Sequence, residues 1–162
     1  MEVPVEKKFQ ILCEISRALH FAWRRAVASI PGVNPRDIVM KFWEETAHDT
    51  ANAYLKRLKA DQPDLAKAVA EAIVFSSVTM GEDAKAVEGS SPKEAFVRHD
   101  ACPWQRWHQQ MGLVEEDRPG CDHWFEVTIK DINEKLGTRI RFETQRSLPE
   151  GHECCLRRIW VE

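Results

Sequence analysis

Seven Cys and His side chains able to ligate a soft metal or to act as nucleophile or base fall at the ends of expected elements in the C-terminal half of this 162-residue chain: His99, Cys102, Cys121, His123, His152, Cys154 and Cys155. The pairs His99-x-x-Cys102 and Cys121-x-His123 are spaced so that two side chains reach one ion, and zinc accepts mixed Cys/His shells. Cys102 precedes Pro103, and Cys121 stands just before an expected helix start. Unpaired backbone N–H groups and the helix dipole favour negative charge at both places. A thiol so placed has a lowered pKa and is the better nucleophile or ligand. The pattern therefore predicts a metal or reactive-thiol centre drawing on His99, Cys102, Cys121 and one of the adjacent pair Cys154-Cys155. Neighbours on a strand point to opposite faces, so only one of that pair belongs to the centre. The competing reading is that these are small buried thiols, as free cysteines often are.

Two further groups bear on chemistry. Trp104, Trp107, His108 and Met111 share a helical spacing, as a core face or as the aromatic wall of a pocket. Arg139 and Arg141 fall on one face of an expected strand with Arg157 on the next, and an arginine pair beside a pocket holds a carboxylate bidentately. Glu45 and His48 have the Glu-x-x-His spacing of carboxylate-bridged metal bundles, but the other helices do not supply the remaining carboxylates. No GxGxxG, GxxxxGK or GxSxG motif is present.

The elements that must position these groups read as follows. A helix over 5–30 places Phe9, Leu12, Ser16, Leu19, Trp23, Ala26 and Ile30 on one face, and Pro31-Gly32 ends it. Asn34-Pro35 starts a second helix, over 35–60, and an Ala-rich third spans 63–78. Residues 81–93 are polar and carry two Gly, two Ser and a Pro, the composition of a surface loop between two halves. Beyond it the pattern predicts a strand over 95–101, helices over 103–112 and 122–136, and a hairpin of strands over 138–146 and 152–161. The expected architecture is α+β in a single domain over 1–162: a helical half (1–80), the loop, and an α/β half (94–162) with a small, mainly antiparallel sheet.

Composition narrows the class. Apolar residues make up 43% and charged residues 30%, as in a globular domain. The net charge of −3 gives no electrostatic reason to expect nucleic acid. No apolar run reaches the roughly 20 residues of a membrane span, and the N-terminus MEVPVEKKFQ lacks the features of a secretory signal. A cytoplasmic setting, with its five cysteines reduced, is the expectation.

The stretch 97–159 resembles a known family. Cys102-Pro103 ahead of an aromatic helix, Cys121-Asp122, Asn133, and Gly151-x-x-x-Cys155 after a strand look like the L-2-amino-thiazoline-4-carboxylic acid hydrolase family. More distantly they are similar to four-vinyl reductase ligand-binding domains, whose α/β fold holds a small molecule near a Cys-bound zinc. The resemblance implies that Cys102, Cys121 and Cys155 are the functional cysteines and Asp122 their polar partner. It implies hydrolysis of a cyclic amidine-like C–N bond.

Three functional readings follow. In the first, a metal-activated water or the Cys102 thiolate attacks, Asp122 or His123 moves protons, and Trp104, His108, Arg139 and Arg141 hold the substrate. In the second, His99, Cys102, Cys121 and Cys155 hold structural zinc beside a pocket that binds a small molecule without turnover. In the third, the cysteines are core and the chain is a homodimeric scaffold.

Overall fold

The computed structural model describes residues 2–162. Pro31-Gly32 and the break around Pro63 divide the N-terminal half into three helices: α1 Val5–Ala28, α2 Pro35–Tyr54 and α3 Leu65–Thr79. Asn34 caps α2 by accepting a hydrogen bond from Arg36 N. The C-terminal half supplies β1 Asp83–Glu88, β2 Glu94–Ala101, α4 Pro103–Met111, α5 Val114–Leu136, β3 Ile140–Arg146 and β4 Cys155–Val161. A short 3-10 turn, Leu148–Glu150, joins the last two strands. The protein is α+β, with one antiparallel sheet in the order β1-β2-β4-β3.

Strand alternation assigns the two faces of this sheet. Ala95, Val97 and His99 of β2 are buried, as are Cys155, Arg157 and Ile159 of β4. The register pairs them directly: Ala95 with Ile159, Val97 with Arg157, and His99 with Cys155. The Ala95/Ile159 end joins the hydrophobic core with Tyr54, Val69, Ile73, Phe125, Ile129 and Ile132 from α2, α3 and α5. Each large aliphatic side chain buried there contributes about 1.5–3 kcal/mol. The other end of the same face is polar: His99, Cys155 and Arg157 are buried where the hydrocarbon stops.

Three expectations need correction. Residues 83–88, within the predicted surface loop, form the edge strand β1, paired to β2 from Glu88–Ala95 to Asp83–Ala101. Their polar composition reflects the edge position, where charged side chains such as Lys85 discourage further pairing. Helix α5 begins at Val114 and runs through Pro119, so Cys121 is inside a helix and not at its mouth. Proline costs a helix one hydrogen bond, but Gly120 next to it has a compensating use: a Cβ there would stand 2.7 Å from Trp43 Nε1. Helix α1, finally, does not bury its apolar stripe. Its buried residues are Cys13, Arg17, His20, Phe21 and Val27, while Phe9, Leu12, Leu19 and Ile30 are exposed.

Asn133 locks the α5–β3 connection. Its amide accepts from Ile140 N at 2.7 Å and from Thr138 Oγ1 at 2.9 Å, and donates to Ile140 O at 2.8 Å. Gly137, at φ 66°, closes the helix in the left-handed conformation that favours glycine.

Candidate functional site

The polar end of the sheet opens into a cavity of about 580 Å³, enclosed by α1, α2, α4 and α5 and within the range of small-molecule sites. Its walls are aromatic: Trp23, Phe42, Trp43, Trp104, Trp124 and Phe125. His20 reaches in from α1 among these rings, with centroids 4.9 Å from Phe42 and 5.4 Å from both Trp43 and Trp104. Burial, with a smaller push from His108, lowers the His20 pKa to about 4, so the ring is neutral in this apolar setting.

Four polar groups interrupt the hydrocarbon. Arg157, 2% exposed, stands on the central strand with its guanidinium 4.7 Å from the Phe125 ring centroid. Its Nη2 donates to Cys121 Sγ at 3.1 Å and to Asp122 Oδ1 at 3.3 Å, while Nε has no partner. Burial opposes its charge, but Cys121, Cys155 and Asp122 outweigh that and raise its pKa. Asp122 is shared with Thr144 Oγ1 at 2.7 Å and Arg118 Nε at 3.1 Å, so the cation is only partly compensated.

His99 is the second group. Its Nε2 lies 2.9 Å from Ser77 Oγ and 3.2 Å from Glu82 Oε2, and Glu82 Oε1 accepts from Trp104 Nε1 at 3.1 Å. A proton on Nε2 would point at two acceptors, Ser77 Oγ and the Glu82 carboxylate. Nδ1, buried and without a partner, then carries the free lone pair. Asp117 is the third. Its Oδ2 lies 3.3 Å from His108 Nδ1, but that nitrogen donates to Trp104 O at 3.0 Å, and Oδ2 is left without a hydrogen bond.

The sulfurs are the fourth. Cys102, Cys121 and Cys155 all line this one cavity, from the N-cap of α4, the middle of α5 and the start of β4. Cys155 Sγ accepts from Leu148 N at 3.2 Å. Their chemistry departs from the expected lowering of thiol pKa. Burial raises Cys102, with Glu82 adding to it; burial also pushes Cys121 up to about 12, against the lowering pull of Arg157. Both are neutral thiols at neutral pH. Cys154 is fully buried beside Cys155 and does not line the cavity.

The donor set does not fit zinc. Among the described residues no group of three or more His, Cys, Asp and Glu side chains is arranged to hold a metal ion. The guanidinium hydrogen-bonded to Cys121 already sets a cation beside that sulfur.

Of the remaining predicted residues, Trp104 and His108 line the cavity. Asp122 lies behind Arg157 and is tied to Thr144 and Arg118. His123 faces outward near Glu44 and Glu126, and Arg141 pairs with Glu162 at 3.2 Å on the surface. Arg139 precedes β3, outside the cavity lining. Of Arg139, Arg141 and Arg157, Arg157 alone lines this cavity. Glu82, Asp117 and His20 carry no motif, and only helical and strand register could have pointed to them.

A family model described as L-2-amino-thiazoline-4-carboxylic acid hydrolase matches residues 13–159. The chain belongs to that family. The match begins in α1 and ends in β4, so it takes in every element around the cavity of this family member. Comparison with curated proteins gives no match. Among solved structures, the chain is similar to a trafficking protein particle complex subunit 3 from Naegleria fowleri covalently bound to palmitic acid. That match has a TM-score of 0.53 at 14% identity and covers 96% of this chain and 95% of that one. It is also similar to the phenol-responsive sensory domain of the transcription activator PoxR with phenol, at a TM-score of 0.54 and 13% identity, covering 90% and 73%. At these identities the likeness concerns the fold alone.

Proposed function

We propose that the protein hydrolyses a small, carboxylate-bearing ring at an amidine-type C–N bond, with L-2-amino-thiazoline-4-carboxylic acid, the compound in the family's name, as the first candidate. The observation that carries this reading is the buried, partly compensated guanidinium of Arg157 in a cavity whose other unpartnered buried polar atoms include an acceptor, Asp117 Oδ2, and a ring nitrogen, His99 Nδ1, alongside His20 Nδ1 and Ser147 Oγ. A ring with an anion at one end and N–H donors at the other complements both ends.

The reading runs as follows. The carboxylate takes the free donors of Arg157, and an amidine N–H donates to Asp117. The ring lies against Trp43 and Trp104. His99 Nδ1 takes a proton from water as the oxygen adds to the amidine carbon, and Glu82 stabilises the imidazolium through its Nε2 side. His99 returns that proton to the ring nitrogen, and as the ring C–N bond breaks the hydroxyl proton of the tetrahedral carbon follows it, so the nitrogen departs as NH2 and the carbon becomes a carbonyl. The products are a primary amine and a carbamoyl group on sulfur, with one water consumed. Cys102 and Cys121, as neutral thiols, shape the cavity.

The neutrality of those two thiols favours one second reading, a ligand-binding module without turnover. Incubation with L-2-amino-thiazoline-4-carboxylic acid, followed by mass spectrometry and amine detection, separates the two. The proposal expects gain of one water and a new primary amine, abolished by His99→Asn. Saturable binding with unchanged ligand leaves the binding module, and neither binding nor turnover overturns both.

A further inference from the structure

Helix α1 is the one long helix that turns its apolar stripe outward. Val5 is 72% exposed, Leu12 64%, Leu19 65% and Ile15 48%, with Phe9, Ile11 and Ile30 also open to solvent. Arg17 and His20 are buried on the inward side, together with Cys13, Phe21 and Val27. On α1 the positions Val5, Phe9, Leu12, Ser16, Leu19, Trp23 and Ala26 alternate by four and three, and Ile30, two residues past the helix end, continues the step; all are exposed except Trp23, which is half-buried. That 3.5-residue period is the signature of a helix packed along another helix, and a lone surface helix has no use for it.

The same stripe frames the cavity. Of the residues lining the cavity, Ser16 and Leu19 are the two in the exposed class. Both are positions of the heptad, and Trp23, the next position, lines the wall. The opening to the site therefore lies within the apolar seam.

We propose that a second copy of this chain packs its α1 against this α1 and closes the mouth of the cavity. Three observations select this occupant. The heptad calls for a long helix, and the chain carries a matching one in α1 itself. An antiparallel pair about a two-fold axis near residues 17–18 matches every position of the stripe: Val5 with Ile30, Phe9 with Ala26, Leu12 with Trp23, and Ser16 with Leu19, two of the four pairs setting large against small. At their observed exposures the seam residues Val5, Phe9, Leu12, Leu19 and Ile30 leave about 500 Å² per copy, taking about 150–200 Å² for each large side chain, and Ile11 and Ile15 flanking the seam bring the apolar area to about 700 Å², against the ~800 Å² per partner of a stable interface.

The proposal stands apart from the hydrolytic reading, because neither measurement below uses substrate. Sedimentation equilibrium at tens of micromolar is expected to give twice the 18.7 kDa chain mass. Leu12→Glu, a substitution on the seam but outside the cavity, is expected to give a monomer with unchanged circular dichroism. Acrylamide quenching of tryptophan fluorescence reports on the mouth: Leu12→Glu should raise the quenching constant several-fold as Trp23, Trp43 and Trp104 become accessible. A monomeric wild-type chain overturns the proposal, as does a dimer that Leu12→Glu leaves intact. So does a folded Leu12→Glu monomer with unchanged quenching. Flotation of a monomeric wild type with phosphatidylcholine vesicles would mean that a lipid surface covers the seam, and would overturn it as well.

Discussion

Replacing Arg157 by methionine separates what this residue does for a ligand from what it does for the fold. The guanidinium is buried, keeps Nε without a partner, and shares its carboxylate, Asp122, with Thr144 and Arg118. Removing it leaves Asp122 with two partners. It also relieves the cost of a desolvated cation, and Asp122 is part-exposed and keeps Thr144 and Arg118, so stability should change by no more than about 2 kcal/mol and not by the roughly 3–5 kcal/mol of a buried charge left unpaired. Binding should respond differently. A ring carboxylate held by two charge-assisted hydrogen bonds draws about 1.5–3 kcal/mol from each, and their loss weakens binding by at least about 100-fold. Titration calorimetry with L-2-amino-thiazoline-4-carboxylic acid measures this directly. The decarboxylated ring, 2-amino-thiazoline, completes a cycle: it should bind the wild type weakly and Arg157→Met no worse, because the two changes remove the same interaction. Arg157→Lys keeps the charge but loses the planar fork, and should fall between the two. If Arg157→Met binds the carboxylate ring within about three-fold of the wild type, with the fold intact, the assignment of Arg157 as anion anchor is refuted.

Other predictions test separate parts of the account. Asn133→Ala removes three hydrogen bonds at the α5–β3 turn and should cost about 2–4 kcal/mol in urea denaturation, with ligand affinity unchanged. Gly120→Ala sets a methyl group against the Trp43 indole; a loss of about 1–3 kcal/mol and a shifted tryptophan emission are expected. His20 gives a pH signature. Its folded pKa of about 4 lies below the ordinary 6.5, so the unfolded chain takes up the proton first. Stability is unaffected above about pH 6.5 and falls as pH drops toward 4, by up to about 3 kcal/mol; His20→Phe should flatten that slope. His48 works in the opposite direction. Its hydrogen bond from Nδ1 to Asp131 at 2.6 Å raises its pKa, so its contribution is present at low pH and fades as pH rises past the raised value. Proton NMR titration of the ring should show the shift, and Asp131→Asn should abolish it.

The sequence carried local structure more clearly than orientation. Chain breakers at Pro31-Gly32 and Pro63 set the helical half, and strand alternation through 140–146 and 155–161 set the hairpin, because those signals act over a few residues. The α1 stripe was legible as a stripe, yet periodicity states that a helix has an apolar face and not whether that face meets its own domain. The expected helix start at 122 proved eight residues late, since α5 runs from Val114 through Pro119; the missing Cβ of Gly120 admits Trp43, a tertiary contact that sequence does not display. Within the site, the gathering of Cys102, Cys121 and Cys155 was legible, while the electrostatics were not. Thiol reactivity was inferred from helix mouths, but Cys121 is in the middle of α5 and burial governs both it and Cys102. His99 and Arg157 were named from the sequence, but their neighbours follow from the register of β2 against β4, which places Cys155 opposite His99 and Arg157 opposite Val97.

The most direct test is a crystal structure of His99→Asn, the variant expected to bind without turnover, soaked with L-2-amino-thiazoline-4-carboxylic acid. The account predicts the carboxylate within hydrogen-bond distance of the Arg157 guanidinium, the amidine nitrogens toward Asp117, and the ring beside Trp43 and Trp104. A ring bound outside this cavity, or a carboxylate held by Arg118, Arg139 or Arg141 with Arg157 untouched, would contradict it.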